Sequence, residues 1–199
     1  MKAFQTTIEA TTEVALQRAM FILGSSKRGL KDDEIEWLDM EIPVVPGNAR
    51  RLDLIGQYKK SKEFVICELK YGNSFKRSNS PQYAADEVVR YYELIKRNIA
   101  FVNNKHHYVP NEDQYVGKKF DWKDVISRGT KLIVVANAAY WTHWLGHLGN
   151  ELPKYGVFEG KKKKVECYSI DIPIDFFEKL SEGKSKYQPQ IDKCILEVL

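Results

Sequence analysis

The spacing of hydrophobic residues changes from a helical to a strand period within the first part of the chain. Apolar residues recur at helical spacing over residues 12–23, which predicts a first helix that Thr11 or Thr12 caps and Gly24 ends. A polar stretch at 25–33 is interpreted as a loop. Alternation then predicts three strands over 37–45, 50–58 and 64–71, separated by a turn at 46–48 and a hairpin loop at 59–63. The third strand is the most apolar, as expected of a central strand.

A second helix is predicted over 81–97, with Ser80 as its cap and Pro81 in its first turn. Its core-facing stripe consists of Ala84, Val88, Tyr91, Tyr92 and Ile95. A short buried strand at 131–136, a helix or turn at 141–148, a strand at 165–172 and a helix beginning at 174–180 follow, whereas 98–130 has no clear pattern. This order predicts an α/β fold with a mixed sheet flanked by helices, in one domain that spans residues 1–199.

Composition narrows the class of protein. The 199 residues are 43% hydrophobic and 29% charged, which is typical of a globular domain. We expect no membrane span, because no apolar run is long enough, and no signal peptide. The three cysteines are dispersed, so we expect a reducing cytoplasm, no structural zinc site, and buried thiols at Cys67 and Cys167.

The formal net charge of +4 indicates an anionic partner only weakly. The densest basic run consists of Lys161, Lys162, Lys163 and Lys164. We expect it in a loop and at the start of a strand near a sheet edge. Contact with nucleic-acid phosphates is one interpretation of this run, and a solubilising turn is the other.

The predicted third strand carries the residues with the clearest chemistry. Side chains alternate along a strand, so Glu68 and Lys70 point to the same face, and a hairpin can bring Asp53 beside them. Two carboxylates and the backbone carbonyl of Leu69 would form the all-oxygen site that Mg²⁺ or Mn²⁺ prefers. Lys70 would then orient a water or stabilise charge on a phosphodiester. The alternative is a surface ion pair, which is the usual meaning of an isolated Glu-x-Lys.

Two segments, Arg51-Leu52-Asp53-Leu54-Ile55-Gly56 and Val65-Ile66-Cys67-Glu68-Leu69-Lys70, resemble the PD-(D/E)xK, or restriction-endonuclease-like, nuclease superfamily. The proline that often precedes the Asp is absent. The resemblance covers residues 12–136 and implies an αβββαβ core with flanking helices, to which 137–199 would be a C-terminal extension. It also implies Mg²⁺- or Mn²⁺-dependent hydrolysis of phosphodiester bonds, with DNA as the expected substrate and a homodimer left open.

The same resemblance suggests further site residues. Many members carry an acid on the first helix, and Glu13 occupies that place; its alternative role is to favour the helix dipole. Relatives often have Gln four residues before Tyr on the second helix. Here Glu87 precedes Tyr91, and Gln82 is a substitute candidate.

Other signals are weaker. His106-His107 lacks the residues that would complete an HNH nuclease motif, and packing explains His143 and His147 better than metal binding. Burial is also the commoner role for Tyr140, Trp141 and Trp144, although exposed rings stack on bases. The functional alternative to a nuclease is an inactive nuclease-like fold that binds nucleic acid or a protein partner. The intact Asp, Glu and Lys set favours the enzyme.

Overall fold

A computed structural model describes residues 13–23, 25–28, 33–47, 49–72, 76–105, 120–171 and 190–193. The helices are α1 (Glu13–Leu23), α2 (Pro81–Arg97), α3 (Ile99–Asn103), α4 (Trp122–Ser127) and α5 (Ala138–Trp141), together with a 3₁₀ turn (Arg77–Asn79) and a π-helical turn (Thr142–His147). The strands are β1 (Ser25–Arg28), β2 (Asp33–Pro43), β3 (Arg51–Tyr58), β4 (Phe64–Lys70), β5 (Lys131–Asn137), β6 (Tyr155–Phe158), β7 (Lys161–Lys164), β8 (Glu166–Asp171) and β9 (Gln190–Lys193).

The main sheet has the strand order β1-β2-β3-β4-β5-β8-β9. The pairs β1–β2, β2–β3 and β3–β4 are antiparallel, whereas the pairs β4–β5 and β5–β8 are parallel. Strand β9 pairs antiparallel with β8 and parallel with β1, so the order closes on itself. The predicted mixed sheet flanked by helices is therefore confirmed. Among the described helices, none combines the length and apolar character needed to cross a bilayer.

Strand β4 is the centre of the sheet, and every residue from Phe64 to Lys70 is buried. One core lies between the sheet and α2 and includes Ile66 and Val88. A second core lies on the other side and includes Leu16 and Met20 of α1. Burial on both faces explains why β4 reads as a nearly continuous apolar run, as the sequence predicted.

Helix α2 follows its sequence pattern closely. The Ser80 hydroxyl accepts a hydrogen bond from the Tyr83 amide at 3.3 Å, and Pro81 occupies the first turn. The five predicted core-facing residues are all buried. The helix therefore packs against the sheet along its length, which fixes the positions of its side chains relative to β4.

Two predictions about local structure were wrong, and one strand was not predicted. The expected loop at 25–33 contains β1, because the register pairs Lys27 with Glu34 and Arg28 with Asp33, and β2 begins at Asp33. Residues Lys161–Lys164 form the whole of β7 rather than a loop and a strand start. Strand β6 was not predicted. The helix expected at 174–180 lies outside the described residues.

Candidate metal centre

Asp53 lies where the ladder between β3 and β4 ends. The paired residues run from Gln57 opposite Phe64 to Leu54 opposite Cys67. Beyond that pair, the Leu69 amide donates to Asp53 Oδ2 at 2.7 Å, so a side chain takes the place of a main-chain acceptor. Helix α1 holds the same residue from the other side, since Gln17 Nε2 donates to the Asp53 carbonyl oxygen at 2.7 Å.

Glu68 and Lys70 point to one face of β4 and are 3% and 5% exposed. The Lys70 ammonium donates to Glu68 Oε1 at 2.6 Å. It also lies 3.4 Å from Glu87 Oε2 of α2 and 3.8 Å from Glu13 Oε1 of α1. One buried cation is therefore shared by carboxylates from a strand and two helices. This is the geometry of an internal ion-pair cluster rather than of a surface ion pair.

Three carboxylates form a group that can hold a metal ion. Oxygen atoms of Glu13, Asp53 and Glu68 all lie within 4.8 Å of one another. Glu68 Oε2 is buried, and among the described residues it has no hydrogen-bond partner. A buried carboxylate oxygen without a partner is costly. The orphan oxygen and the purely carboxylate donor set fit a hard, oxygen-preferring cation.

The raised pKa values of the carboxylates show that the cluster lacks positive charge. Burial raises the pKa of Asp53 to about 7, and the nearby Lys70 opposes this only in part. Burial, followed by repulsion from Asp53, also raises the pKa of Glu68 well above its usual range. Burial raises the pKa of Glu13 as well. Without a further cation, the cluster therefore tends to retain protons.

Lys70 behaves in the opposite way. Burial by itself disfavours an ammonium, but the surrounding carboxylates, Glu68 first, raise the pKa of Lys70 well above its usual value. The side chain is therefore charged throughout the neutral range. It can donate hydrogen bonds and stabilise negative charge, and it cannot accept a proton.

No protein-family model, curated protein or solved structure matches this chain. The chemistry available to the site therefore follows from its own residues.

The structure brings Asp53, Glu68, Lys70, Glu13 and Glu87 together, but it separates Gln82 from them. Gln82 Nε2 donates to Asp86 Oδ1 at 2.8 Å and to the Tyr155 carbonyl oxygen at 3.0 Å. It therefore joins α2 to β6, and it is not a member of the acidic cluster. The backbone of Leu69 contributes its amide to Asp53, whereas its carbonyl as a metal ligand stays a prediction.

Sequence analysis missed Gln17 and Asn137 at the cluster, and it named Tyr91 only as a core residue and as the residue four after Glu87. Gln17 fixes Asp53 and follows Glu13 by one helical turn, which is a signal that both share a face of α1. The Tyr91 hydroxyl donates to Glu87 Oε1 at 3.2 Å and so orients the carboxylate that contacts Lys70. Asn137 ends β5, and its side-chain oxygen accepts from the Gly72 amide at 3.1 Å, tying down the chain just after β4.

The aromatic residues after β5 pack in the core. Trp141 Nε1 donates to the carbonyl oxygens of Ala136 and Tyr168. The ring of His143 meets that of Trp144 edge-on at 5.3 Å, and both are buried. Their predicted packing role is confirmed. The side chain of His147 and residues His106-His107 lie outside what the structure describes.

The four lysines of β7 divide into two pairs. Lys161 Nζ lies 2.7 Å from Glu93 Oε2, and Lys163 Nζ lies 3.6 Å from Glu93 Oε1. The Glu93 side chain is only 2% exposed, so these two lysines cover a buried acid. Lys162 and Lys164 alternate with them and face away. The run is therefore not a uniform solvated face.

Proposed function

We propose that this chain is a metal-dependent nuclease that hydrolyses phosphodiester bonds in DNA, with Mg²⁺ or Mn²⁺ held by Glu13, Asp53 and Glu68. The observation that carries the proposal is the convergence of these three carboxylates beside the buried Lys70 at one end of β4. A restriction-endonuclease-like core belongs to the same proposal. In support, α1, β2, β3, β4, α2 and β5 follow one another in the order αβββαβ, with β1 as an addition.

Lys70 would serve the reaction as a fixed positive charge. Negative charge builds on the phosphoryl oxygens in the transition state, and a preorganised ammonium in a buried site stabilises it. Glu87 contacts Lys70 from α2 and Tyr91 holds Glu87, so both would act as positioning residues. A bound divalent cation supplies Lewis-acid chemistry, polarising a phosphoryl oxygen and making water more acidic. Asp53 and Glu68 would hold that cation, and Gln17 keeps Asp53 in place.

The alternative is a nuclease-like fold that binds nucleic acid or a protein partner without cutting. One observation favours it. Lys70 lies 2.6 Å from Glu68 and already offsets part of the negative charge, as in an ion-pair network that needs no metal. Four carboxylates around one ammonium nevertheless leave an excess of negative charge when all are ionised. A divalent cation held by the carboxylates would offset that excess, which favours the nuclease.

The test is incubation of the purified protein with plasmid, single-stranded DNA and RNA in Mg²⁺, Mn²⁺ or EDTA. We expect cleavage of DNA with either metal and none in EDTA. Asp53→Asn and Lys70→Ala should each abolish cleavage, whereas Asp124→Asn, which changes an exposed acid on α4, should not. Calorimetric titration should show Mn²⁺ binding lost in Asp53→Asn and kept in Lys70→Ala, with circular dichroism verifying both folds. Undiminished cleavage in EDTA, or full activity of Asp53→Asn, contradicts the proposal.

A further inference from the structure

Strands β6 and β7 form a two-stranded ribbon that is separate from the main sheet. We call Tyr155–Phe158 and Lys161–Lys164 the ribbon. Its register sets Tyr155 opposite Lys164 and Val157 opposite Lys162. Because side chains alternate along each strand, these four residues share one face, and Gly156, Phe158, Lys161 and Lys163 share the other.

The inner face of the ribbon is anchored on α2. A Cβ atom at Gly156 would lie 2.0 Å from the Ala85 carbonyl oxygen, so only glycine permits the observed approach. The Val157 amide donates to Asp86 Oδ1 at 2.8 Å. Lys161 and Lys163 meet the buried Glu93 further along the helix. The ribbon therefore has a fixed position, and its outer face is presented in a fixed direction.

The outer face of the ribbon combines an exposed aromatic ring with two lysines. Tyr155 and Val157 are each 46% exposed, whereas most large apolar residues that the structure describes are buried. Lys162 Nζ lies 4.3 Å from the centre of the Tyr155 ring. Lys164 has a side chain that is 76% exposed and lies 3.9 Å from Glu166.

A cavity of about 470 Å³ opens beside this face. Its lining includes Gln82, Leu152, Pro153 and Lys154, in addition to Tyr155 and Lys162. Glu151 is the acidic member of the lining, against two lysines. The cavity therefore offers apolar walls, an amide and a net positive charge.

We propose that the outer face of the ribbon and this cavity bind an unpaired stretch of nucleic acid. A base would stack on Tyr155, and phosphates would contact Lys162 and Lys164. Proteins that hold single strands combine a positive groove with exposed aromatic rings, because every unpaired base has a free face to stack. A paired base in a duplex has no such face to offer. This inference rests on the proposed nuclease function and narrows its substrate to DNA with an unpaired segment.

Helix α2 links the ribbon to the acidic cluster. Gln82 bonds to the Tyr155 carbonyl oxygen, and Glu87 contacts Lys70. These two positions are about 7.5 Å apart along the helix axis, at 1.5 Å per residue. At 3.6 residues per turn the two side chains leave the helix roughly 140° apart, so the same helix carries the ribbon on one side and the acidic cluster on another.

The test measures binding in EDTA, where no metal-dependent cutting can occur. Fluorescence anisotropy follows a labelled oligo-dT and a duplex of equal length at several salt concentrations. We expect tighter binding of oligo-dT. Lys162→Gln/Lys164→Gln should make the negative slope of log affinity against log salt shallower by about 1.4, at about 0.7 per phosphate contact. Tyr155→Ala should weaken binding of oligo-dT at least about fivefold, and Tyr155→Phe should preserve it.

The matched control is Lys60→Gln/Lys62→Gln, which removes the same charge from the turn between β3 and β4, at the end of β4 away from Lys70. It should bind like the wild type. Equal affinities of wild type and Tyr155→Ala, or equal salt slopes for the two double variants, overturn the inference. So does a duplex that binds as tightly as oligo-dT. If the ribbon variants behave as expected but no metal supports cutting, the ribbon site stands and the nuclease function fails. If a metal supports cutting but the ribbon variants bind like the wild type, the nuclease function stands and the ribbon site fails.

Discussion

Asp53→Asn should stabilise the metal-free protein at neutral and alkaline pH, although under the proposed function it should abolish metal binding. The asparagine oxygen can still accept the hydrogen bond from the Leu69 amide, so the local backbone is kept. What the substitution removes is a buried negative charge among other carboxylates. The site therefore carries a cost in stability, which the apoprotein reveals.

The size of the effect follows from the pKa of Asp53, which burial raises from 3.8 to about 7. Between these values the folded state holds a proton that the unfolded state has released, so stability falls as pH rises. The loss begins above pH 3.8 and is complete above about 7. At 1.36 kcal/mol per pKa unit, the full penalty is about 4 kcal/mol. Because Lys70 loses one of its neighbours in the variant, we expect a measured gain of about 1–3 kcal/mol at pH 8.

Urea denaturation in EDTA at pH 4, 6 and 8 measures this gain. The variant should match the wild type near pH 4 and exceed it increasingly toward pH 8. Asp124→Asn is the control, because the Asp124 side chain is 50% exposed and lies on the surface of α4, where it pairs with Arg128. When EDTA is replaced by free Mn²⁺ at 100 times its Kd, the wild type should be stabilised by about 2.7 kcal/mol and Asp53→Asn should be unchanged. A gain that is independent of pH, or a loss at pH 8, refutes the reasoning.

Two further predictions concern the contact between the ribbon and α2. Glu93→Gln should lower the free energy of unfolding by about 1–2 kcal/mol at pH 7, because two lysines lose a charged partner. Although burial opposes it, the hydrogen bond from Lys161 and the nearby lysines lower the pKa of Glu93. The difference between wild type and variant, measured by urea denaturation, should therefore hold above pH 4.5 and vanish as pH falls through the lowered value; a difference that persists in acid contradicts it. Gly156→Ala should cost about 1–3 kcal/mol through overpacking against Ala85, measured as a fall in Tm, whereas Gly146→Ala, with open space around it, should not. Equal Tm values for the two glycine variants would show that the ribbon yields without strain.

The sequence predicted the central elements well because their signals are local. Strand β4 is apolar throughout, and α2 has a regular stripe together with the Ser80 cap. The meeting of Asp53 with Glu68 followed from a hairpin and a period of two. These inferences needed no knowledge of contacts that are distant in sequence.

What the sequence could not predict depends on long-range pairing. Strand β1 is polar and short, and it exists because β2 and β9 supply its hydrogen bonds. The lysines of β7 look alike in sequence, but a strand on α2 gives two of them Glu93 and turns the other two outward. Gln82 looked like a site residue because of its place on α2, yet it faces the ribbon.

The close approach of Gly156 to Ala85 has a consequence for how this protein can change over evolutionary time or by engineering. The ribbon joins the rest of the chain through one face of a helix, and its strands share no ladder with the main sheet. Its outer face can therefore be rewritten, lengthened or exchanged without altering any residue of the acidic cluster, provided that glycine is retained at the point of contact. Under the proposed function, substrate selection would lie on the ribbon and chemistry in the acidic cluster, and Gly156 is one of the contacts through which helix α2 joins the two.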